Sequence, residues 1–123
     1  MAGGADSVLV VDDEPSIRLL CKVNLELEGY RVLEADSLEA ARAHLRSEHV
    51  SVVLLDVHVG RDDGRELLAE LRAERPEVPV ALFSGTTAPL SIERFGADAI
   101  IPKPFTLDEL AGTVVRLAGS AHR

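Results

Sequence analysis

The chain has 123 residues, a formal net charge of −8, one cysteine and no tryptophan. This length is typical of a single compact domain, and a lone Cys21 excludes an intrachain disulfide. The acidic balance and the scarcity of aromatic residues argue against direct binding of nucleic acid, whose phosphates such a chain repels. No apolar run approaches the roughly 18 residues that a membrane span needs. We therefore expect a cytoplasmic protein with no membrane contact.

Five apolar runs predict β-strands. In chain order they are Val8 to Val11, Val32 to Leu33, Val50 to Leu55, Val80 to Phe83 and Ala99 to Ile101. Three of the runs are apolar without alternation, which is typical of parallel strands that are covered on both faces.

Amphipathic segments between the runs predict helices, and most of them carry a start signal. The signals are Pro15 for the first helix, Ser37 for the second, Asp63-Gly64 for the third, and a capping box of Thr106 and Glu109 for the last. A fourth helix between Pro89 and Phe95 is barely two turns long. Strand and helix alternate five times, which predicts an α/β fold with a five-stranded parallel sheet and helices on both faces.

Polar residues follow four of the five runs. Asp12 and Asp13 follow the first, Asp56 the third, Ser84 the fourth and Lys103 the fifth. Ligands of open parallel sheets bind beyond the carboxyl ends of the strands. Three carboxylates, a hydroxyl and an ammonium are therefore expected at one edge of the sheet.

The chemistry of this set indicates phosphoryl transfer. Clustered carboxylates repel one another unless they bind a cation or a proton, and all-oxygen ligands with room for water favour Mg²⁺. A carboxylate beside Mg²⁺ can act as a nucleophile toward phosphorus. The cation and Lys103 would neutralise the phosphoryl oxygens, and Ser84 can donate a hydrogen bond to one of them. Each residue alone has an ordinary reading as a helix cap or loop residue, and only their convergence favours a site.

Three stretches, VLVVDDEPSIR, VVLLDVHVGRDDG and GADAIIPKPFTLDEL, together resemble the receiver domain of bacterial two-component response regulators. The resemblance covers residues 1–123. Within the family, the chain is similar to single-domain, chemotaxis-type regulators. The resemblance implies a flavodoxin-like (βα)5 topology with a short fourth helix. It also implies that the Lys103-Pro104 bond is cis.

The resemblance assigns a role to each candidate residue. Asp56 is the implied phosphoacceptor, and Asp12 and Asp13 are the acidic pair that holds Mg²⁺, with Asp13 the more direct ligand. The main-chain carbonyl of His58 is a further implied ligand of the metal. Ser84 and Lys103 match the hydroxyl and lysine positions of the family.

The implied function is a phosphorelay switch. A sensor histidine kinase or a histidine phosphotransfer protein would donate the phosphoryl group from a phosphohistidine. The phosphorylated domain would then signal by binding an output protein that the sequence does not identify. Its only catalysis would be its own phosphotransfer and dephosphorylation, in which His58 could orient a water. We expect no output domain within the chain, which would act alone or belong to a larger regulator.

Three departures from the family pattern keep an alternative open. Val59-Gly60 replaces the usual Met-Pro, which is expected to loosen that loop. Ile100 replaces an aromatic residue, and the stretch from Ser84 to Lys103 is shorter by about one helical turn. A degenerate receiver that works as a phosphorylation-independent adaptor is therefore an alternative. An Asp-nucleophile phosphohydrolase is a second alternative, although such enzymes carry a second acid where this chain has His58.

Overall fold

The computed structural model describes residues 6–85 and 96–121, with side chains up to residue 119. The strands are β1 (Ser7–Val11), β2 (Arg31–Ala35), β3 (Val52–Asp56), β4 (His58–Val59), β5 (Asp62–Asp63), β6 (Val80–Ser84) and β7 (Ala99–Pro102). The helices are α1 (Pro15–Leu27), α2 (Leu38–Ser47), α3 (Arg65–Glu74) and α4 (Leu107–Ala121). The short helix predicted between Pro89 and Phe95 lies outside the described residues. β3 begins at Val52, two residues after the predicted start.

Five of the strands form one parallel sheet in the order β2-β1-β3-β6-β7. β1 pairs with β2 on one side and with β3 on the other. This order confirms the predicted flavodoxin-like topology. The chain winds first to one side of β1 and then to the other, so a crevice opens between the carboxyl ends of β1 and β3.

Helices cover both faces of the sheet, because successive strand residues point to opposite sides. Val8 and Val10 face α1 and α4, whereas Leu9 and Val11 face α2 and α3. Cys21 is fully buried on the first of these faces, as its apolar neighbours predicted. Burial, and after it the charge of Asp12, raises the pKa of the Cys21 thiol to about 12. The thiol is therefore an unreactive part of the core.

The predicted helix starts are confirmed. Ser37 Oγ accepts a hydrogen bond from the main-chain N–H of Ala40 at 3.0 Å. Thr106 Oγ1 accepts from the N–H of Glu109 at 3.0 Å, and Glu109 Oε1 accepts from the N–H of Thr106 at 2.8 Å. Such caps each contribute about 1 kcal/mol to helix stability. They set where α2 and α4 begin relative to the sheet edge.

Between β3 and α3 lies a short antiparallel ribbon that was not predicted. His58 of β4 pairs with Asp63 of β5, and Val59 pairs with Asp62. Gly60 turns the ribbon with a positive φ of 62°. A proline cannot adopt that angle, because its ring holds φ near −65°. The proline that is usual in the family could therefore not form the turn that Gly60 makes here.

No helix in the described part of the chain combines the length and apolarity needed to cross a membrane.

Candidate functional site

The predicted site residues meet in one pocket at the carboxyl edge of the sheet. The pocket has a volume of about 400 Å³. Its lining residues are Asp13, Glu14, Asp56, Val57, His58, Gly60, Ser84, Gly85 and Lys103. Asp12 lies directly beneath it and is fully buried. The crevice that strand order predicts is thus the place where the chemical groups converge.

The two acids after β1 have opposite environments. Asp12 is fully buried, whereas Asp13 is exposed to the pocket. Each of them and Asp56 offers a carboxylate oxygen, and these three oxygens lie within 4.8 Å of one another. Ligand oxygens around an octahedral Mg²⁺ are roughly 3–4 Å apart. The donor set therefore fits a small hard cation after modest side-chain movement.

Lys103 joins the buried Asp12 to the partly buried Asp56. Its Nζ lies 2.9 Å from Asp12 Oδ2 and 3.3 Å from Asp56 Oδ2. The Lys103-Pro104 bond is cis, as predicted. Burial alone would lower the pKa of the Lys103 ammonium, but the hydrogen bonds and charges of Asp12 and Asp56 outweigh it and leave the pKa raised. The ammonium is therefore charged at neutral pH and available to an anion.

Asp56 ends β3 at the floor of the pocket. Burial and the nearby charge of Asp12 raise the pKa of its carboxyl, and Lys103 offsets part of this rise. The N–H of His58 also approaches Asp56 Oδ1 at 3.4 Å. Burial and the charge of Asp12 thus disfavour the ionised form of Asp56, whereas Lys103 favours it.

Ser84 is the last residue of β6 and is 8% exposed. Its main-chain oxygen accepts a hydrogen bond from the N–H of Lys103 at 2.7 Å. The main chains of Ser84 and Lys103 are therefore held side by side, at the adjacent ends of β6 and β7.

Two phenylalanines that the sequence did not point to support Lys103. The rings of Phe83 and Phe105 stack with centroids 5.4 Å apart and planes 20° from parallel. Lys103 Nζ lies 5.4 Å from the centroid of Phe83, within the range of a cation–π interaction. Their positions in the sequence could have indicated this role, since Phe83 directly precedes Ser84 and Phe105 directly follows Pro104.

Gly64 and Arg18 are further residues that sequence reasoning missed. Gly64 was interpreted as a helix-start turn, but it packs directly against the main chain of Asp56. Arg18 was part of a recognised motif without a role, yet its side chain contacts the main-chain oxygen of Asp12. Neither contact has a local sequence signal, because each depends on how the chain after a strand folds back over the end of that strand.

Comparison with known proteins agrees with this geometry. The sequence profile of the response regulator receiver domain matches residues 8–115, most of the chain. The chain belongs to the response regulator receiver domain family. Such domains are the switch components of two-component signalling systems.

Curated relatives of this receiver are response regulators. It is 40% identical to the nitrogen assimilation regulatory protein NtrX of Azorhizobium caulinodans, over 86% of this chain and 24% of that protein. It is 34% identical to the alkaline phosphatase synthesis transcriptional regulatory protein PhoP of Bacillus subtilis, over 87% of this chain and 46% of that protein. The receiver thus spans from about a quarter to about half of these relatives.

Solved receiver structures superpose over nearly the whole chain. A CheY-like receiver domain from Methanospirillum hungatei is 28% identical with a TM-score of 0.88, covering 97% of this chain and 98% of that one. The receiver domain of NtrX from Brucella abortus is 35% identical with a TM-score of 0.82, covering 91% and 98%.

Replacing Asp13 by asparagine is expected to raise the melting temperature of the metal-free receiver by about 2–4 °C. Three carboxylates share a small volume, and Lys103 contacts only Asp12 and Asp56 among them. Removing one negative charge therefore relieves repulsion, and it also replaces an anionic ligand that Mg²⁺ would use by a weaker, neutral amide. Thermal unfolding with and without Mg²⁺ measures both effects. Asp62→Asn, an exposed change on the ribbon, is the control, and equal Mg²⁺ stabilisation of wild type and Asp13→Asn would contradict the expectation.

Proposed function

We propose that this receiver accepts a phosphoryl group onto Asp56 from a phosphohistidine and signals by binding an output protein. The observation that carries the proposal is the joint placement of Asp56, the acidic pair and Lys103 around one open pocket. A carboxylate oxygen of Asp56 attacks phosphorus, the P–N bond breaks, and its electron pair returns to the imidazole of the donor.

The residues around Asp56 would manage the charge of this reaction. Asp12, Asp13 and Asp56, with the main-chain carbonyl of His58, would hold a Mg²⁺ ion. That ion, when bound, lowers the repulsion between the carboxylate and the incoming phosphoryl group. Lys103 would turn its ammonium from Asp56 to a phosphoryl oxygen. Ser84 would donate its hydroxyl to another oxygen and thereby couple the phosphoryl group to the end of β6.

An apolar groove beside the pocket supports docking of a phosphodonor protein. The groove has a volume of about 400 Å³ and is lined by Ile17, Leu20, Gly85, Lys103, Pro104 and Phe105. It shares Gly85 and Lys103 with the site pocket. A partner seated there would hold its phosphohistidine next to Asp56. The proposed partner is a sensor histidine kinase or a histidine phosphotransfer protein.

The adaptor alternative is not favoured, because the residues that we propose for phosphoryl transfer lie around one pocket. We propose that catalysis by the domain is limited to its own phosphorylation and dephosphorylation. His58, exposed at the pocket wall, would orient the hydrolytic water. The proposed location is the cytoplasm, where the phosphodonors of such systems act, and the proposed output is a protein and not nucleic acid.

Phosphorylation in vitro tests this function. With Mg²⁺ and acetyl phosphate, the wild-type receiver should gain one phosphate per chain in intact-mass spectra. The adduct should be labile in base, as acyl phosphates are, and a chelator should prevent its formation because the acidic cluster then lacks its cation. Absence of any adduct would favour the adaptor alternative, and full labelling in the presence of chelator would exclude the proposed metal.

A further inference from the structure

Arg18 connects the acidic loop to the neighbouring strand. It lies in the first turns of α1 with its side chain 17% exposed. Its Nη1 donates a hydrogen bond of 2.7 Å to the main-chain oxygen of Asp12, and its Nε lies 3.4 Å from Glu34 Oε1. This guanidinium takes no direct part in the proposed phosphoryl transfer.

The contact completes a set of four hydrogen bonds that hold Asp12. Its N–H donates to Ala35 O at 3.1 Å, and its carbonyl accepts from Arg18. Oδ1 accepts from the N–H of Glu14 at 2.9 Å, and Oδ2 accepts from Lys103 Nζ at 2.9 Å. Every polar atom of this buried residue therefore has a partner, and Arg18 supplies the one for the carbonyl.

The carbonyl of Asp12 belongs to the peptide unit that leads to Asp13. This unit is planar, so holding its oxygen also sets the direction of its N–H and the position of the Asp13 Cα. Asp13 is the exposed member of the acidic pair, whereas the carboxylate of Asp12 is held by Glu14 and Lys103. The orientation of the Asp13 side chain thus depends on the Asp12–Asp13 peptide unit, whose oxygen is hydrogen-bonded to Arg18.

We propose that Arg18 is a positioning residue for the metal ligand Asp13. The inference rests on the proposed function, since it requires that the acidic cluster bind Mg²⁺. Mg²⁺ demands near-ideal octahedral geometry, so a ligand that is poorly aimed weakens binding steeply. Loss of a residue that orients a metal ligand typically reduces metal affinity by about 10–100-fold.

A purely electrostatic role of Arg18 predicts the opposite change in Mg²⁺ affinity when Arg18 is removed, and this makes the proposal testable. A guanidinium near the acidic cluster repels a divalent cation, and its pairing with Glu34 reduces that repulsion only in part. If Arg18 acted through charge alone, removing it would tighten Mg²⁺ binding. If it acts by orienting Asp13, removing it weakens binding.

The experiment compares Arg18→Met with Lys22→Met in the full chain. Methionine keeps much of the aliphatic stem and removes the charge. Lys22 is a matched control, because its Nζ lies 3.9 Å from Glu34 Oε2 and it makes the same charge change near the same carboxylate. Calorimetric Mg²⁺ titration should show an affinity about tenfold lower in Arg18→Met and nearly unchanged in Lys22→Met. The NMR chemical shift of the Asp13 amide in the metal-free protein should change in Arg18→Met and stay near the wild-type value in Lys22→Met, because only the first variant releases the Asp12–Asp13 peptide unit.

The outcomes separate this inference from the proposed function. Failure of wild type to bind Mg²⁺ would overturn the metal site and the inference with it. Normal binding by wild type with unchanged or tighter binding by Arg18→Met, or equal loss in both variants, would overturn the role of Arg18 alone. If Arg18→Met does not fold, Arg18→Lys carries the same test. Lysine keeps the positive charge but lacks the planar guanidinium, and its variant is expected to bind Mg²⁺ about threefold more weakly than wild type.

Discussion

An Asp56→Asn receiver is expected to take up no phosphate from acetyl phosphate under conditions in which wild type is fully labelled. The amide lacks the anionic oxygen that attacks phosphorus, and the change also removes one of the three negative charges of the proposed metal site. Of its two neighbours, Asp12 is fully buried, with Oδ1 bound to Glu14 and Oδ2 bound to Lys103. It therefore cannot replace Asp56 as a nucleophile.

The control for this variant is Asp62→Asn, which makes the same chemical change on the exposed ribbon strand β5. It should be labelled like wild type. Intact-mass spectra after equal times measure the uptake, and peptide mapping locates the adduct. Undiminished labelling of Asp56→Asn, or an adduct that maps elsewhere in wild type, would show that Asp56 is not the acceptor.

Replacing Gly64 by alanine is expected to destabilise the receiver by about 3 kcal/mol, at the upper end for overpacking. A Cβ at this position would overlap the main-chain oxygen of Asp56 and would lie 3.3 Å from Leu55 Cδ1. The backbone angles of Gly64, φ −57° and ψ −24°, are ordinary for any residue. Glycine is therefore required here for lack of space and not for its backbone angles. The atom that a Cβ would meet belongs to the main chain of Asp56, which cannot rotate away as a side chain could.

The clash would also displace the site, because Gly64 lies against the residue that receives the phosphoryl group. Its N–H donates to Val57 O at 2.6 Å, so the start of α3 and the end of β3 must move together. Thermal unfolding should show a melting temperature lower by about 10 °C or more. Labelling of the folded fraction should be slower than in wild type.

Gly112→Ala is the matched control, and it is expected to raise the stability of the receiver where Gly64→Ala lowers it. Gly112 lies within α4 and is exposed, and a Cβ added there would meet no atom within 4 Å. Alanine there should stabilise the helix by about 0.5–1 kcal/mol. A Gly64→Ala protein as stable as wild type would contradict the close approach of α3 to Asp56.

The sequence was sufficient for the order of elements and for the edge at which the chemical groups meet. Continuous apolar runs predicted covered parallel strands, and local caps such as Ser37 and the Thr106 box predicted where helices begin. Because parallel strands share one carboxyl edge, residues as distant as Asp12 and Lys103 could be placed together without any contact information. These features depend on local chain geometry and on a simple rule of topology.

The tertiary structure alone decided how each group is oriented and supported. It buries Asp12 and exposes Asp13, although the two are adjacent and chemically identical. It also sets the ribbon turn at Gly60, the packing of Gly64 against Asp56 and the contact of Arg18 with the Asp12 carbonyl. Each of these depends on the path by which the chain leaves a strand and folds back over the end of that strand. Hydrophobic periodicity carries no such information, because it records only which face of an element is buried.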